Sequence, residues 1–203
     1  MTETRTAAKI GVLVPFTNTN LEPDMEMLRP PNTTVHFQRM GGYDVGEIPG
    51  ANQMAGLGAS DISHDLRMIS GVRPDVVLYG CTSATLTHGP SFDADLARQL
   101  ESGSGARSLT AAGSLIAAIK ALEATKVGFS SPYLGEINAQ AIAFMAENGF
   151  ETVHCADVGR ELGNYGQGEL TPDEVFDLAC QADHTDAQVI VLSCTDMRSV
   201  EAI

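Results

Sequence analysis

Short apolar runs alternate along the chain with longer amphipathic segments. Val/Ile/Thr-rich runs predict strands at Ile10–Val14, Thr34–Gln38, Val76–Tyr79, Val127–Phe129, Thr152–His154 and Val189–Leu192. Helix-like periodicity fills the intervals at Leu21–Leu28, Met54–Ser70, Phe92–Leu100, Ala111–Leu122, Leu134–Glu147 and Pro172–Ala182. The last of these carries a clear start signal, Thr171-Pro172-Asp173-Glu174. It combines an N-cap threonine, proline at the first position and acids facing the positive end of the helix dipole. Strands alternating with helices predict an α/β fold whose parallel sheet is covered on both faces.

The chain also repeats itself. Lys9-Ile10-Gly11-Val12 followed by Pro15-Phe16 recurs as Lys126-Val127-Gly128-Phe129 followed by Pro132-Tyr133. Val76-Val77-Leu78-Tyr79-Gly80-Cys81-Thr82 recurs as Val189-Ile190-Val191-Leu192-Ser193-Cys194-Thr195. Two motifs returning in the same order at nearly equal offsets predict two similar lobes. The lobes are expected at 1–112 and 113–203, joined near residue 112 and related by a pseudo-twofold axis. A second lobe as long as the first would run past Ile203.

Composition narrows the function classes. With 43% hydrophobic and 19% charged residues, the chain has the composition of a folded, soluble protein. No apolar run is long enough to span a bilayer, and Met1–Lys9 lacks the apolar stretch of a secretory signal. A cytoplasmic location is therefore the default. Twenty-six acidic against twelve basic residues give a formal charge of −14, which repels nucleic acid and anionic membranes. An anionic substrate must then be held by backbone amides and hydroxyls rather than by a basic patch. No GxGxxG or P-loop pattern follows a strand, so nucleotide binding has no support.

The four cysteines show none of the spacings that build zinc sites, and free thiols are expected in a reducing compartment. Cys81 and Cys194 each follow an apolar run and precede a threonine. In a parallel α/β sheet, ligands bind beyond the carboxyl ends of the strands. A cysteine at such a turn lies near a helix N-terminus, which favours thiolate, and Thr82, Ser83 and Thr195 add hydroxyl donors for an anion. Facing one another across a cleft, two thiols could remove a proton from one face of a carbon and deliver one to the other. Cys155 and Cys180 lack this context and are expected in the core. His64 and His88 read as surface or hydrogen-bonded residues, and Gly41-Gly42, Gly103-Ser104-Gly105 and Gly163 to Gly168 as turns.

These residues resemble a known group. Pro15-Phe16-Thr17-Asn18-Thr19, Gly80-Cys81-Thr82-Ser83-Ala84-Thr85, Ser131-Pro132-Tyr133 and Leu192-Ser193-Cys194-Thr195-Asp196-Met197-Arg198 are similar to motifs of the maleate cis–trans isomerases and arylmalonate decarboxylases, within the aspartate/glutamate racemase superfamily. The resemblance implies two Rossmann-like lobes, an active site between them, and no metal or organic cofactor. It implies that Cys81 adds to an alkene carbon as the nucleophile and that Cys194 protonates the neighbouring carbon. It further implies that Asn18, Tyr133 and Asn164 hydrogen-bond substrate carboxylates, with Thr82 and Ser83 cradling one of them. Gly163-Asn164-Tyr165 departs from the pattern around that asparagine. Thr17-Asn18-Thr19-Asn20-Leu21-Glu22-Pro23, with Met40-Gly41-Gly42-Tyr43-Asp44, looks more like the ectoine-utilisation branch.

Three readings follow: a two-thiol isomerase or racemase, a decarboxylase using Cys194 alone, and a non-catalytic binder of a small anion. Arylmalonate decarboxylases carry glycine where Cys81 stands, so the retained pair favours the isomerase. The expected partner is a small carboxylate substrate, with no nucleic acid and no membrane; self-association into a homo-oligomer stays open.

Overall fold

The computed structural model describes residues 7–133 and 135–203. The residues before Ala7, and Leu134 at the expected start of a helix, lie outside them. The first sheet is built from β1 (Ala8–Pro15), β2 (Thr33–Met40), β3 (Val76–Tyr79) and β4 (Arg107–Thr110), all parallel in the order β2-β1-β3-β4. The second holds β5 (Lys126–Ser131), β6 (Glu151–Asp157) and β7 (Val189–Leu192), parallel in the order β6-β5-β7. Ten helices are described: α1 (Leu21–Met27), α2 (Ala51–Gly58), α3 (Ser63–Ser70), α4 (Ser83–Leu86), α5 (Pro90–Ser104), α6 (Ala111–Ala121), α7 (Gly135–Glu147), α8 (Gly166–Glu169), α9 (Pro172–Ala182) and α10 (Ser199–Ala202). None of them is long and apolar enough to cross a membrane.

The two sheets repeat one another down to individual bonds. Gly11 pairs with Val77 in the first sheet as Gly128 pairs with Ile190 in the second. Beyond the strands, the Gly80 N–H donates to the Leu13 carbonyl at 2.9 Å and the Ser193 N–H to the Ser130 carbonyl at 2.8 Å. The duplicated sequence motifs thus become duplicated backbone geometry, and Cys81 and Cys194 follow equivalent residues.

All six expected strands form. The seventh, β4, was not legible because its pattern is inverted: Ser108 and Thr110 are buried while Leu109 is 41% exposed. Its residues follow the period of two, but the buried face of this sheet edge is polar. Thr110 then caps α6, its hydroxyl accepting from the Gly113 N–H at 2.9 Å. The single helix expected over Met54–Ser70 is two, because Asp61 accepts from the Ser63 N–H at 2.9 Å and turns the chain between α2 and α3. Helix α9 carries the full capping box that Thr171 and Glu174 encode.

Strand β1 is buried on both sides, as central parallel strands are. Leu13 joins the core beneath α2, α3 and α5, whereas Val12 and Val14 pack against Leu21 on the other face. The lobes interlock near the cleft. Leu86 of α4 enters the core formed by α6, α7 and β5, while Tyr133 and Ile137 enter the core of the first sheet. Cys180 corrects an expectation: it is exposed, because the buried stripe of α9 runs through Val175, Leu178 and Ala182. Cys155 is half-buried against the second core.

Candidate active site

The carboxyl ends of β1, β3, β5 and β7 meet at one narrow cleft holding a cavity of about 40 Å³, room for a few water molecules. All eight residues singled out from the sequence line it: Asn18 after β1, Cys81, Thr82 and Ser83 after β3, Tyr133 after β5, Asn164 before α8, and Cys194 and Thr195 after β7. Tyr43, Gln167 and Asp196 also line it and were not expected. Tyr43 comes from the loop after β2 and Gln167 from the short α8, neither with a strand-end cysteine signature, while Asp196 directly follows the Cys194-Thr195 motif. A second groove of about 200 Å³ adjoins this cavity and shares Pro49, Tyr133 and Gln167 with it.

Cys81 is held by close packing around its neighbours. Gly80 just before it has no side chain to spare room for, since a Cβ there would lie 2.3 Å from the Leu21 Cδ2 and 2.8 Å from the Leu13 carbonyl. The four residues of α4 after Thr82 are all buried. The Cys81 sulfur lies 3.7 Å from the Ser83 hydroxyl, and that hydroxyl with the Ala84 and Ser83 backbone N–H groups favours its ionised form. Burial nevertheless raises its pKa, and Asp196 adds to the rise. The expectation of a favoured thiolate is corrected here, because loss of hydration outweighs the donors around the sulfur.

Cys194 has a different set of partners. Its thiol donates to the Gln167 Oε1 at 3.3 Å, and its sulfur accepts from the Asp196 N–H at 3.3 Å. Burial first, then the Asp196 charge, push its pKa up to about 12. The two phenols are also held neutral: Tyr43 is pushed up to about 12 by burial and by Cys81, and Tyr133 well above its usual value by burial and both thiols. Both phenols therefore serve as donors. The Tyr133 turn is fixed from behind, with Asn138 donating to its carbonyl at 2.7 Å and the Ser131 hydroxyl accepting from its N–H at 3.1 Å.

The two lobes are tied across the cleft. Asp196 Oδ1 accepts from the Thr19 N–H at 2.7 Å and the Asn20 N–H at 3.1 Å. The Asn20 carboxamide donates to the Asp196 carbonyl at 2.8 Å and the Gly168 carbonyl at 3.0 Å. Asn18 uses its Oδ1 to accept from the Asn20 and Leu21 N–H groups, which caps α1. Asn164 has both amide hydrogens committed to the Val45 and Glu47 carbonyls, so it clasps the Tyr43–Pro49 loop over the cavity. His88 lies outside the site, bonded to the Ala55 carbonyl at 2.9 Å and stacked on Phe92. Asp196 is the one carboxylate lining the cavity, and no Lys or Arg among the described residues lines it. Among the described residues no cluster of His, Cys, Asp or Glu could hold a metal ion.

The family model for arylmalonate decarboxylase matches residues 10–203, nearly the whole chain. The chain belongs to the arylmalonate decarboxylase family. Within this family it is similar to the maleate isomerase of Nocardia farcinica, at 27% identity over 198 residues, covering 92% of this chain and 75% of that protein. In structure it is similar to a maleate isomerase of Pseudomonas putida S16 with maleate, with a TM-score of 0.85 and 20% identity, covering 97% of this chain and 82% of that one. It is equally similar to a mutant Nocardia farcinica maleate cis-trans isomerase with a covalently bound succinylcysteine intermediate, with a TM-score of 0.84 and 21% identity over 95% and 80% of the chains. The arylmalonate decarboxylase family match spans both cysteine motifs, so Cys81 and Cys194 fall within its common fold.

Proposed function

We propose that this chain is a cofactor-independent cis–trans isomerase of a small unsaturated dicarboxylate of the maleate type. The carrying observation is that two thiols from equivalent strand ends line one cavity in unlike surroundings. Both sulfurs meet donors in their own turns, but Cys194 alone also gives its proton to a carboxamide oxygen, that of Gln167, and sits next to the Asp196 carboxylate, which favours its protonated form.

In this reading Cys81 first loses its thiol proton to water, the thiolate forms a C–S bond to one alkene carbon, and the π pair moves onto the adjacent carbon and its carboxylate. Cys194 gives its proton to that carbon, leaving a succinyl thioether. With the double bond gone, the carbon–carbon bond rotates. The Cys194 thiolate takes a proton back, the C–S pair returns to sulfur, and the trans acid leaves. Positioned donors carry the charge that develops on the carboxylate: Thr82, Ser83, Tyr133 and Tyr43, with backbone amides of the two cysteine turns. Asn18 and Thr195 hold the walls of the site from either lobe.

The test is incubation with maleate followed by proton NMR. Appearance of fumarate without release of carbon dioxide is the expected result. Release of carbon dioxide from an arylmalonate, with no action on maleate, would instead support the decarboxylase reading that the family description favours. Inertness towards both, with tight binding of a small dicarboxylate, would leave a binding protein.

A further inference from the structure

Gln167 is absent from every motif that led to this site, yet its Oε1 accepts the Cys194 thiol proton at 3.3 Å. We propose that Gln167 is a positioning residue that orients the Cys194 S–H towards the reacting carbon and keeps Cys194, not Cys81, as the protonated partner. The inference rests on the isomerase reading for its kinetic consequence and on geometry alone for its thiol chemistry.

The surroundings of the two sulfurs differ in kind. Donors face both sulfurs, the Ser83 hydroxyl and the Ser83 and Ala84 N–H groups at Cys81, the Asp196 N–H and the Tyr133 hydroxyl at Cys194; the Gln167 carboxamide oxygen is the acceptor that Cys194 has in addition. A neutral thiol has one proton to give and lone pairs to accept with. Cys194 has both capacities filled, giving to Gln167 Oε1 and accepting from the Asp196 N–H, with the Tyr133 hydroxyl also facing the sulfur. That pairing fixes the rotation of the S–H bond as well as its protonation. The other titratable groups facing Cys194 are Asp196 beside it, Cys81, and the phenols of Tyr43 and Tyr133.

The backbone is arranged to bring Gln167 there. Gly168 lies so close to the first lobe that a Cβ would sit 2.6 Å from the Thr19 hydroxyl and 3.0 Å from the Asn20 amide. Its carbonyl accepts from that Asn20 amide at 3.0 Å, and a Cβ on Gly166 would lie 3.0 Å from the Cβ of Leu162, on the same segment. Gly168 lets the short α8 turn press against the first lobe, and Gly166 lets it pack back on Leu162, so that Gln167 between them reaches the site.

Two substitutions separate an oriented acceptor from a mere wall. Gln167→Ala removes the acceptor and admits water, whereas Gln167→Glu keeps an acceptor oxygen on a side chain of equal length. Iodoacetamide alkylation followed across pH, resolved by peptide mass spectrometry, reads each thiol without any substrate. The Cys194 midpoint should move down in Gln167→Ala and up in Gln167→Glu, with Cys81 moving less in both. On maleate, Gln167→Ala should lose roughly 10- to 100-fold in kcat with KM within about twofold, as an acid–base group loses its aim. Gln167→Glu should hold kcat within a few-fold while KM for the dianion rises. Shifts of the Cys194 midpoint in one direction for both variants, or no shift, would overturn the proposal. If the wild-type protein leaves maleate unchanged, the isomerase reading fails while the thiol titration still decides the role of Gln167.

Discussion

The Asn18 carboxamide donates to the Thr195 hydroxyl at 3.1 Å, and that hydroxyl donates to the Gly80 carbonyl at 2.8 Å. One side chain of the second lobe is thereby bonded to the turn after β1 and to the residue preceding Cys81. Thr195→Val keeps the shape but leaves a buried donor and acceptor unpaired, at a cost of about 1–3 kcal/mol. Urea denaturation should show that loss, and Thr195→Ser should restore most of it.

Each thiol should be indispensable. Cys81→Ser and Cys194→Ser should fold as the wild type does and lose roughly 10²–10⁴-fold in rate, the double variant being little worse than either. Mass spectrometry should find a slow adduct on Cys81 in Cys194→Ser and none in Cys81→Ser. A Cys81→Ser variant with full turnover would mark a one-thiol enzyme.

Asp196 sets a pH dependence whose sign can be worked out. Burial raises its carboxyl from 3.8 to about 6, against the hydrogen bonds from Thr19 and Asn20 that lower it. A group whose value rises on folding contributes stability below its unfolded value, and that contribution is lost as pH climbs through about 6. Asp196→Asn keeps an acceptor oxygen and removes the charge. It should be more stable than wild type by about 1–3 kcal/mol near pH 8, the gap closing below about pH 4. Thermal melts across pH read this directly, and Cys194 should alkylate faster in the variant.

Asn164 should govern the loop rather than the folding of the molecule. Asn164→Asp sets a carboxylate against the Val45 and Glu47 carbonyls that now accept its amide hydrogens. Amide hydrogen exchange over residues 43–49 should quicken by more than tenfold, as two neutral bonds are replaced by repulsion. The melting temperature should move little, because that loop carries few buried residues.

Gly80→Ala should be harsher than a surface change of the same size. The new methyl would meet the Leu13 carbonyl, which belongs to the sheet and cannot turn aside as a side chain can. A loss of about 1–3 kcal/mol is expected from overpacking, together with lower activity as the Cys81 turn shifts. Gly41→Ala, which meets nothing within 4 Å, is the control.

The strands, their repetition and the two cysteines at strand ends were legible because they rest on local signals. A run such as Val76-Val77-Leu78-Tyr79 forms a buried strand whatever surrounds it, and the duplicated Gly11 and Gly128 fall at the same sheet position. Strand β4 escaped because Ser108 and Thr110 face inward and Leu109 outward, the reverse of the usual pattern. Helix α4 escaped because four residues are too few to show a period.

What the sequence alone determined, then, is where each thiol stands relative to its own strand, since that is a matter of nearest neighbours. The tertiary structure decided how the thiols differ. Cys81 and Cys194 sit in nearly identical words and both meet donors within their own turns, yet Cys194 also meets Gln167 from α8 and stands next to the Asp196 charge. Desolvation and the direction of a hydrogen bond depend on what the rest of the chain brings within about 3–4 Å. No spacing along the sequence encodes that distance, and so the unlike partners of two matching cysteines emerge only once the lobes close on each other.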